Sequence, residues 1–161
     1  MANEDLHLGK AGEELIKSYE SLVLKAYVDT HDKQGSPIYA IGWGHAGSIN
    51  GEKIVIDQTI TKEEAEKLFL EDAKIYEKKV RQFVNVPLNQ NQFDALVCMA
   101  YNVSTAHFEE MVKISELNKG MYDKVPDAMM HYNVADGRIL RGLTRRRKEE
   151  GQLFLKPVGG V

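Results

Sequence analysis

The segment from about Gln90 to Val103 is apolar on nearly every side and constrains the fold more than any other part of the sequence. Its apolar residues include Phe93, Ala95, Leu96, Val97, Met99, Ala100 and Tyr101. A helix without a polar face is stable in water only when other elements surround it. The segment therefore predicts a buried central helix with further helices packed around it.

Apolar residues at helical spacing predict further helices on both sides of this segment. These helices cover roughly residues 9–22, 61–84, 107–118, 122–133 and 142–155. The helix over 61–84 opens with a capping box, in which Glu64 follows Thr61 by three residues, and Pro87 follows its end. Gly120 and the Asp136-Gly137 pair separate the last three helices.

Between the first two helices, from Leu24 to about Ile56, the sequence changes to β-forming residues punctuated by glycines. This pattern predicts a short, twisted antiparallel sheet. The fold class is therefore α+β and mainly helical, with a sheet-bearing lobe and a helical lobe that flank a cleft. We expect one domain over residues 1–161, divided into a sheet-bearing lobe at 13–60, a connecting helix at 61–84, a helical lobe at 85–155 and a loose tail at 156–161.

Composition excludes several classes of protein. No stretch approaches the length of apolar residues that a membrane-spanning helix needs. The single cysteine, Cys98, excludes an internal disulfide and a cysteine-based zinc site, and its apolar surroundings predict a buried thiol. The net charge of −3 argues against nucleic acid as the main partner. The acidic, polar start lacks the pattern of a secretory signal, so we expect synthesis in the cytoplasm.

Two carboxylates near the first helix and the sheet are candidates for acid and base chemistry. Glu20 has the apolar neighbours Leu22, Val23 and Leu24, and such surroundings disfavour the charged form of a carboxyl, which suits a general acid. Asp29 lies nine residues later, beside a polar turn. Two carboxylates in contrasting environments are what glycoside hydrolysis requires. On spacing alone, ordinary solvated surface charges are the more common explanation of such a pair.

Several segments, taken together and in order, resemble the motifs of the phage-type lysozymes, which are muramidases and phage endolysins. The first runs from Glu20 through Asp29-Thr30 and is followed by Ile41-Gly-Trp-Gly-His45. The others are Ile60–Phe69 with Asp72, Pro87–Val97 with Tyr101-Asn-Val103, and Gly142-Leu-Thr-Arg-Arg-Arg-Lys-Glu149. They cover the chain from about residue 12 to residue 153.

The resemblance implies a lysozyme-like fold and hydrolysis of the β-1,4 bond between N-acetylmuramic acid and N-acetylglucosamine in bacterial peptidoglycan. It implies that Glu20 is the general acid, and that Asp29 positions the attacking water with inversion at the anomeric carbon. Tyr101 and Asn102 match substrate-binding positions, although a core role for Tyr101 is equally consistent with its surroundings. His45 and Asp72 match a structural salt bridge, and neither a cofactor nor a metal is implied.

The chain departs from the family pattern at several positions. Ala40 stands where the family has a threonine that helps to hold the water. The stretch before it is longer than usual and contains possible substitutes, namely Thr30, His31, Asp32 and Ser36. Met111-Val112 replaces a Ser-Thr pair, and Tyr132 replaces a tryptophan. These departures favour an alternative in which a lysozyme-fold protein binds glycan with little or no turnover.

The residues from Arg138 to Lys148 carry six positive charges within eleven positions. Such a cluster is consistent with nucleic-acid or membrane contact, with a solvated helix start paired with nearby carboxylates, or with attraction to the anionic cell wall. A structural role with weak wall attraction fits best, because a DNA-binding regulator would leave the Glu20-to-His45 segment unexplained. We therefore expect peptidoglycan as the partner, no nucleic acid, no stable membrane association and a monomer that acts on the cell wall after release from the host cytoplasm.

Overall fold

A computed structural model describes residues 2–159 of the chain. The α-helices are α1 (Lys10–Tyr19), α2 (Lys62–Phe83), α3 (Gln90–Asn102), α4 (Thr105–Ser115), α5 (Val125–Met129) and α6 (Arg141–Leu155). The strands are β1 (Val23–His31), β2 (Pro37–Gly42), β3 (His45–Ala46), β4 (Ser48–Ile49), β5 (Glu52–Lys53), β6 (Val134–Ala135) and β7 (Arg138–Ile139). Two short 3-10 helices cover Leu117–Lys119 and Tyr122–Lys124. This mainly helical α+β architecture confirms the predicted fold class.

Backbone contacts divide the chain into two compact units. The sheet unit spans Lys17–Asp72, and the helical unit comprises the chain up to Ile16 and from Ala73 onward. The two boundaries therefore fall inside α1 and α2.

In the sheet unit, β1, β2 and β3 form a three-stranded antiparallel sheet in that order. The buried side chains of this unit include Ile41 of β2 and Trp43 of the turn that follows β2. The Trp43 ring packs edge to face against the Phe69 ring of α2, with the ring centroids 5.9 Å apart. The Lys17 ammonium lies 4.1 Å from the Trp43 ring centroid and 2.8 Å from a carboxylate oxygen of Glu66. This packing holds the end of α1 beside the sheet and the first half of α2.

The β1–β2 pairing is irregular at two places. Tyr27 pairs with Ala40 and Val28 with Tyr39, but the next pair joins Thr30 to Ile38. The register therefore skips Asp29, which is the extra residue of a β-bulge. Bulges bend a strand locally and re-aim side chains, and they are common beside active sites.

In the helical unit, α3 is the central helix that the sequence predicts. Phe93 and every residue from Asp94 to Ala100 are buried. The helix begins with a capping box in which the side chains of Asn89 and Gln92 each accept a hydrogen bond from the backbone N–H of the other. Of these buried residues, Asp94 is charged, and its carboxylate accepts hydrogen bonds from the backbone N–H groups of Gly9 (2.9 Å) and Gly12 (3.2 Å).

The structure differs from the predicted elements in three places. The first helix ends at Tyr19, so Glu20 lies in a bend rather than in the helix. The helix predicted over 122–133 is a 3-10 turn followed by the short α5, because Pro126 lacks an N–H and starts a new helix. A small β6–β7 hairpin follows where no strand was predicted. Of the predicted tail, Gly160 and Val161 lie outside the described residues.

Candidate active site in the sheet unit

Glu20 follows α1 directly and lies partly buried in the sheet unit. Its carboxylate faces Gly44, in the turn between β2 and β3, where a side-chain carbon added to Gly44 would come within 3.1 Å of Glu20 Oε2. Gly44 also has a φ of +80°, in the region that favours glycine. The glycine-rich turn therefore provides the space into which the carboxyl projects.

Asp29 is exposed and is the residue that the β1–β2 register skips. A residue of a bulge has no ladder partner opposite it, so its side chain is not confined to the regular alternation of the strand. This gives the Asp29 carboxylate a position on an open part of the sheet, where water has access to it.

The phenol of Tyr27 is influenced by the charges of both candidate carboxylates. Its side chain is 38% exposed. Burial, the negative charge of Asp29 and that of Glu20 each raise the pKa of the Tyr27 phenol. Both carboxylates therefore contribute to the electrostatic surroundings of one phenol in the sheet unit.

Ala40 in β2 is completely buried and pairs with Tyr27 of the neighbouring strand β1. Asp32 is one of the residues predicted to substitute for a hydroxyl at position 40. In the structure its Oδ1 accepts hydrogen bonds from the backbone N–H groups of Gln34 and Ser36, so this oxygen stabilises the hairpin turn. Thr30 pairs with Ile38, two residues before Ala40, so both Thr30 and Ala40 belong to one face of the sheet.

His45 supports this site from β3. Its Nδ1 lies 2.9 Å from Asp72 Oδ2, and its Nε2 lies 2.6 Å from the Ser48 carbonyl oxygen. The hydrogen bond with Asp72 raises the pKa of His45, burial opposes this effect, and the Ser48 carbonyl adds to it. The predicted pairing of His45 with Asp72 is therefore present, and it attaches the sheet to α2.

The two predicted substrate-binding residues lie at the end of α3, in the helical unit, but in different surroundings. The Tyr101 ring packs against the Tyr76 ring, with centroids 4.9 Å apart. Asn102 is exposed and accepts a hydrogen bond of 2.8 Å from Arg147 through Oδ1. It lines a groove of about 730 Å³ together with Val103, Ser104, His107, Glu110, His131, Tyr132, Val134, Ala135, Leu140 and Leu143.

Tyr132, His107 and Glu110 form a connected wall of this groove. The Tyr132 hydroxyl donates a hydrogen bond of 2.6 Å to Glu110, and the His107 ring lies 5.5 Å from the Tyr132 ring between centroids. Burial and the Glu110 carboxylate raise the pKa of Tyr132. His107 and Glu110 were not predicted as site residues, since nothing in their spacing marks them as neighbours of Tyr132.

The arginine cluster is divided between the interior and the surface. Arg146 and Arg147 are buried, and both donate to Glu150 Oε2, at 3.2 Å and 3.0 Å. Arg145 is exposed, 3.9 Å from Glu149. The structural interpretation of the cluster therefore holds for its two buried members.

Residues 2–159 contain no group of three or more His, Cys, Asp or Glu side chains arranged to hold a metal ion. Within the same range, no helix combines the length and apolar character that crossing a membrane demands.

Comparison with known proteins identifies the family of the chain. The family model for phage lysozyme matches residues 17–150. The chain is 35% identical to an endolysin of Bacillus phage B103 over 93% of its own length and 54% of that protein, and 36% identical to an endolysin of Salmonella phage P22 over 87% and 92%. It spans about half the length of the endolysins of the Bacillus phages B103 and PZA.

Solved structures agree with the sequence comparisons. An endolysin from Escherichia coli O157:H7 phage FAHEc1 superposes with a TM-score of 0.80 at 31% identity, covering 96% of each chain. The muramidase domain of SpmX from Asticaccaulis excentricus superposes with a TM-score of 0.79 at 32% identity, covering 94% of this chain and 99% of that one.

Proposed function

Because the chain belongs to the phage lysozyme family, we propose that it hydrolyses the β-1,4 bond between N-acetylmuramic acid and N-acetylglucosamine in bacterial peptidoglycan. The observation that carries the proposal is the match of residues 17–150 to the phage lysozyme family, in a chain whose sheet unit holds a partly buried Glu20 and an exposed Asp29. Two carboxylates around one site are the machinery of glycoside hydrolysis, which requires no cofactor.

In this proposal Glu20 is the general acid. Its partly buried carboxyl donates a proton to the leaving glycosidic oxygen as the bond from the anomeric carbon breaks. Asp29 acts on the opposite face of the sugar as the general base. Its exposed carboxylate takes a proton from a water molecule, and the oxygen of that water forms the new bond to the anomeric carbon. The product then has the inverted configuration.

We further propose that the groove of the helical unit binds part of the glycan. Arg147 donates to Oδ1 of Asn102, so the NH₂ group of Asn102 is oriented as the donor for a ligand carbonyl such as that of an N-acetyl group. The Tyr132 ring offers an aromatic face for the apolar side of a sugar ring. Tyr101, which packs on Tyr76, is assigned a supporting role in this binding.

A second candidate function is glycan binding with little or no turnover. The observation that favours it is Ala40, whose buried methyl group cannot form a hydrogen bond through its side chain. The two candidates differ in whether new sugar ends are formed.

Product analysis of purified peptidoglycan tests the proposal. After digestion, borohydride reduction marks each new reducing end, and mass spectrometry identifies the reduced sugar. We expect reduced N-acetylmuramic acid at the new ends. Reduced N-acetylglucosamine or new free amino groups would indicate cleavage of a different bond. Tight binding to peptidoglycan without any new end would support the glycan-binding candidate instead.

The remaining parts of the proposal concern the state of the protein in solution. We propose a monomer that binds neither nucleic acid nor membranes in a stable manner and that acts at the bacterial cell wall. Light scattering coupled to size-exclusion chromatography should give a mass near 18.2 kDa. A mass near twice that value would contradict the monomer.

A further inference from the structure

A pocket of about 320 Å³ lies in the sheet unit, which is a volume at the small end of the range for ligand sites. More than half of its lining belongs to the stretch before Ala40 that is longer than usual in the family pattern. We call it the hairpin pocket, and its lining consists of Asp32 and residues 36–39 at the β1–β2 hairpin, with residues 47–48 and 53–54 at the β4–β5 hairpin. Neither Glu20 nor Asp29 belongs to this lining, so the proposed hydrolysis leaves the pocket without a role.

Backbone hydrogen bonds hold both walls of the hairpin pocket. In the β1–β2 turn, the Asp32 N–H donates to the Ser36 carbonyl oxygen at 2.9 Å, and Asp32 Oδ1 accepts from the Ser36 N–H at 2.9 Å. Gly47 joins the other wall to this one, because its N–H donates to the Tyr39 carbonyl oxygen and its own carbonyl oxygen accepts from the Ile54 N–H. The pocket is therefore formed before any ligand binds, which lowers the cost of ordering on binding.

The lining combines an apolar interior with charged groups that water can reach. Ile54 is buried, and Ile38 and Tyr39 are partly buried. Asp32 is also partly buried and supplies a carboxylate, whereas Lys53 is exposed and supplies an ammonium group. A small ligand that fits this lining has apolar groups and both signs of charge.

The two charges of the hairpin pocket remain available to a ligand. Asp32 uses Oδ1 for the backbone of its own turn, and Oδ2 accepts no hydrogen bond from residues 2–159. Over the same residues, Lys53 has no ion-pair partner. A neutral sugar in this pocket would leave the carboxylate and the ammonium without charged partners, so the pocket favours a ligand that is itself charged at two places.

We propose that the hairpin pocket binds a stem peptide of peptidoglycan, with a free amine of the peptide at Asp32, a free carboxylate at Lys53 and alanine methyl groups against Ile38 and Ile54. This inference rests on the proposed function, because it concerns the same substrate. In peptidoglycan the lactyl carboxyl of N-acetylmuramic acid is amide-linked to the stem peptide. The glycan itself is therefore neutral, and the free amine and carboxylate of an uncross-linked strand belong to its stem peptides.

A titration of the ¹⁵N-labelled protein with a free stem peptide tests the inference without requiring hydrolysis. The probe is N-acetyl-L-Ala-γ-D-isoGln-L-Lys-D-Ala, which carries one amine and one carboxylate. We expect saturable shifts of the backbone amide signals of Gly47, Ser48 and Ile54, which lie at the pocket. The signals of Asn102 and His107, in the groove of the helical unit, should stay in place.

Lys53→Gln tests the contact with the peptide carboxylate. It should raise the Kd of the probe by about two- to fivefold, the effect of an exposed ion pair. Amidation of the peptide carboxylate should weaken binding to the wild type by the same factor and should cause no further loss in Lys53→Gln. Lys33→Gln is the matched control, because Lys33 is exposed in the same hairpin turn as Asp32 but does not line the pocket. It should keep the Kd of the wild type.

Asp32→Asn tests the contact with the peptide amine in the same way. The asparagine keeps an oxygen that can accept the hydrogen bonds of the turn, so the variant removes the charge alone. It should raise the Kd by about two- to fivefold, and acetylation of the lysine amine of the probe should then cause no further loss. Thermal melting verifies that each variant is folded, and the Lys53 comparison decides if Asp32→Asn is not.

The absence of saturable shifts at the pocket would overturn the inference. Equal rises of Kd in Lys53→Gln and Lys33→Gln would do the same, since they would indicate only a general effect of net charge. Neither result would touch the proposed hydrolysis. Absence of cleavage products from the wild-type protein would instead contradict the proposed function, while the peptide titration would still decide what the pocket binds.

Discussion

At the scale of single residues, His45 shows how one side chain stabilises the sheet unit in a pH-dependent manner. Both ring nitrogens face acceptors, the carboxylate of Asp72 and the carbonyl of Ser48. This arrangement favours the doubly protonated ring, and the pKa of His45 is accordingly raised, chiefly by the hydrogen bond with Asp72. A histidine with a raised pKa in the folded state contributes stability that is complete below its unfolded pKa and is lost as the pH rises through its folded pKa.

Replacement of Asp72 by Asn should therefore destabilise the protein most in mildly acidic solution. Between about pH 5 and 6 we expect the free energy of unfolding to fall by about 1.5–3 kcal/mol, the usual value for a hydrogen bond to a charged group. At about pH 9, well above the ordinary pKa of histidine, fewer His45 rings carry the charge, so the loss should be smaller. Urea denaturation at both pH values measures the difference.

Asp57→Asn provides the matched control for this prediction. Asp57 pairs with Lys25 at 3.2 Å, but both side chains are mostly exposed, 72% and 64%. Removing the same charge there should change the free energy of unfolding by less than about 1 kcal/mol at either pH. An Asp72→Asn loss that is equal at both pH values would contradict the assignment of the raised pKa to this pair.

At the scale of elements, α6 is attached to α3 by a buried ionic network. Glu150 is fully buried between Arg146 and Arg147. Arg146 also donates to the backbone carbonyl of Cys98 in α3, and Arg147 donates to Asn102 at the end of α3. The same network therefore supports the fold and fixes the orientation of a proposed glycan-binding amide.

Glu150→Gln should be strongly destabilising. It leaves two buried guanidinium groups without their carboxylate, and breaking a buried ion pair in this way costs about 3–5 kcal/mol. The adjacent Glu149→Gln is the control, since Glu149 lies 3.9 Å from the mostly exposed Arg145, and it should cost less than about 1 kcal/mol. Thermal and urea denaturation compare the two variants. Similar losses in both would show that the buried network is not what attaches α6.

The elements differ in how far the sequence predicts them. The apolar run of α3 and the capping box at Thr61 and Glu64 predict helices that the structure contains, because both signals are local. The β6–β7 hairpin was missed although Asp136-Gly137, with φ values of +51° and +74°, is a strong hairpin turn. Its strands are two residues each, too short to produce an alternating pattern.

The candidate site was predictable only in part. The motif resemblance predicts Glu20 and Asp29 as site residues, but the bulge at Asp29 depends on how β1 pairs with β2, which no local pattern encodes. No local pattern marks Tyr27, because its partner across the sheet, Ala40, is known only from the strand register. The burial of Arg146 and Arg147 was likewise not evident, since charged residues usually lie at the surface.

At the scale of the whole molecule, the proposed chemistry and the proposed glycan groove belong to different compact units. Glu20, Tyr27 and Asp29 lie in the sheet unit, whereas Asn102 and Tyr132 lie in the helical unit. The groove is lined by residues of the helical unit, whereas both carboxylates belong to the sheet unit. Turnover and glycan affinity should therefore respond to different substitutions.

Tyr132→Ala should raise KM for soluble peptidoglycan strands with little change in kcat. Loss of the aromatic wall and of its hydrogen bond to Glu110 is expected to cost about 1.4 kcal/mol of binding, which is tenfold in KM. Tyr122→Ala is the control, because Tyr122 donates its hydroxyl to the Pro87 carbonyl and does not line the groove. A fall in kcat with unchanged KM in Tyr132→Ala would contradict the assignment of the groove to binding.

The central claim is that this chain cleaves peptidoglycan with Glu20 as its acid, and one comparison tests it most directly. Release of reducing ends from purified peptidoglycan is measured for the wild type, for Glu20→Gln and for Glu14→Gln, which changes an exposed carboxyl of α1 that pairs with Lys10. We expect activity in the wild type and in Glu14→Gln, and a loss of about 10²–10⁴-fold in Glu20→Gln, the usual contribution of a general acid. Hydrolysis by Glu20→Gln at the rate of the wild type would contradict the account.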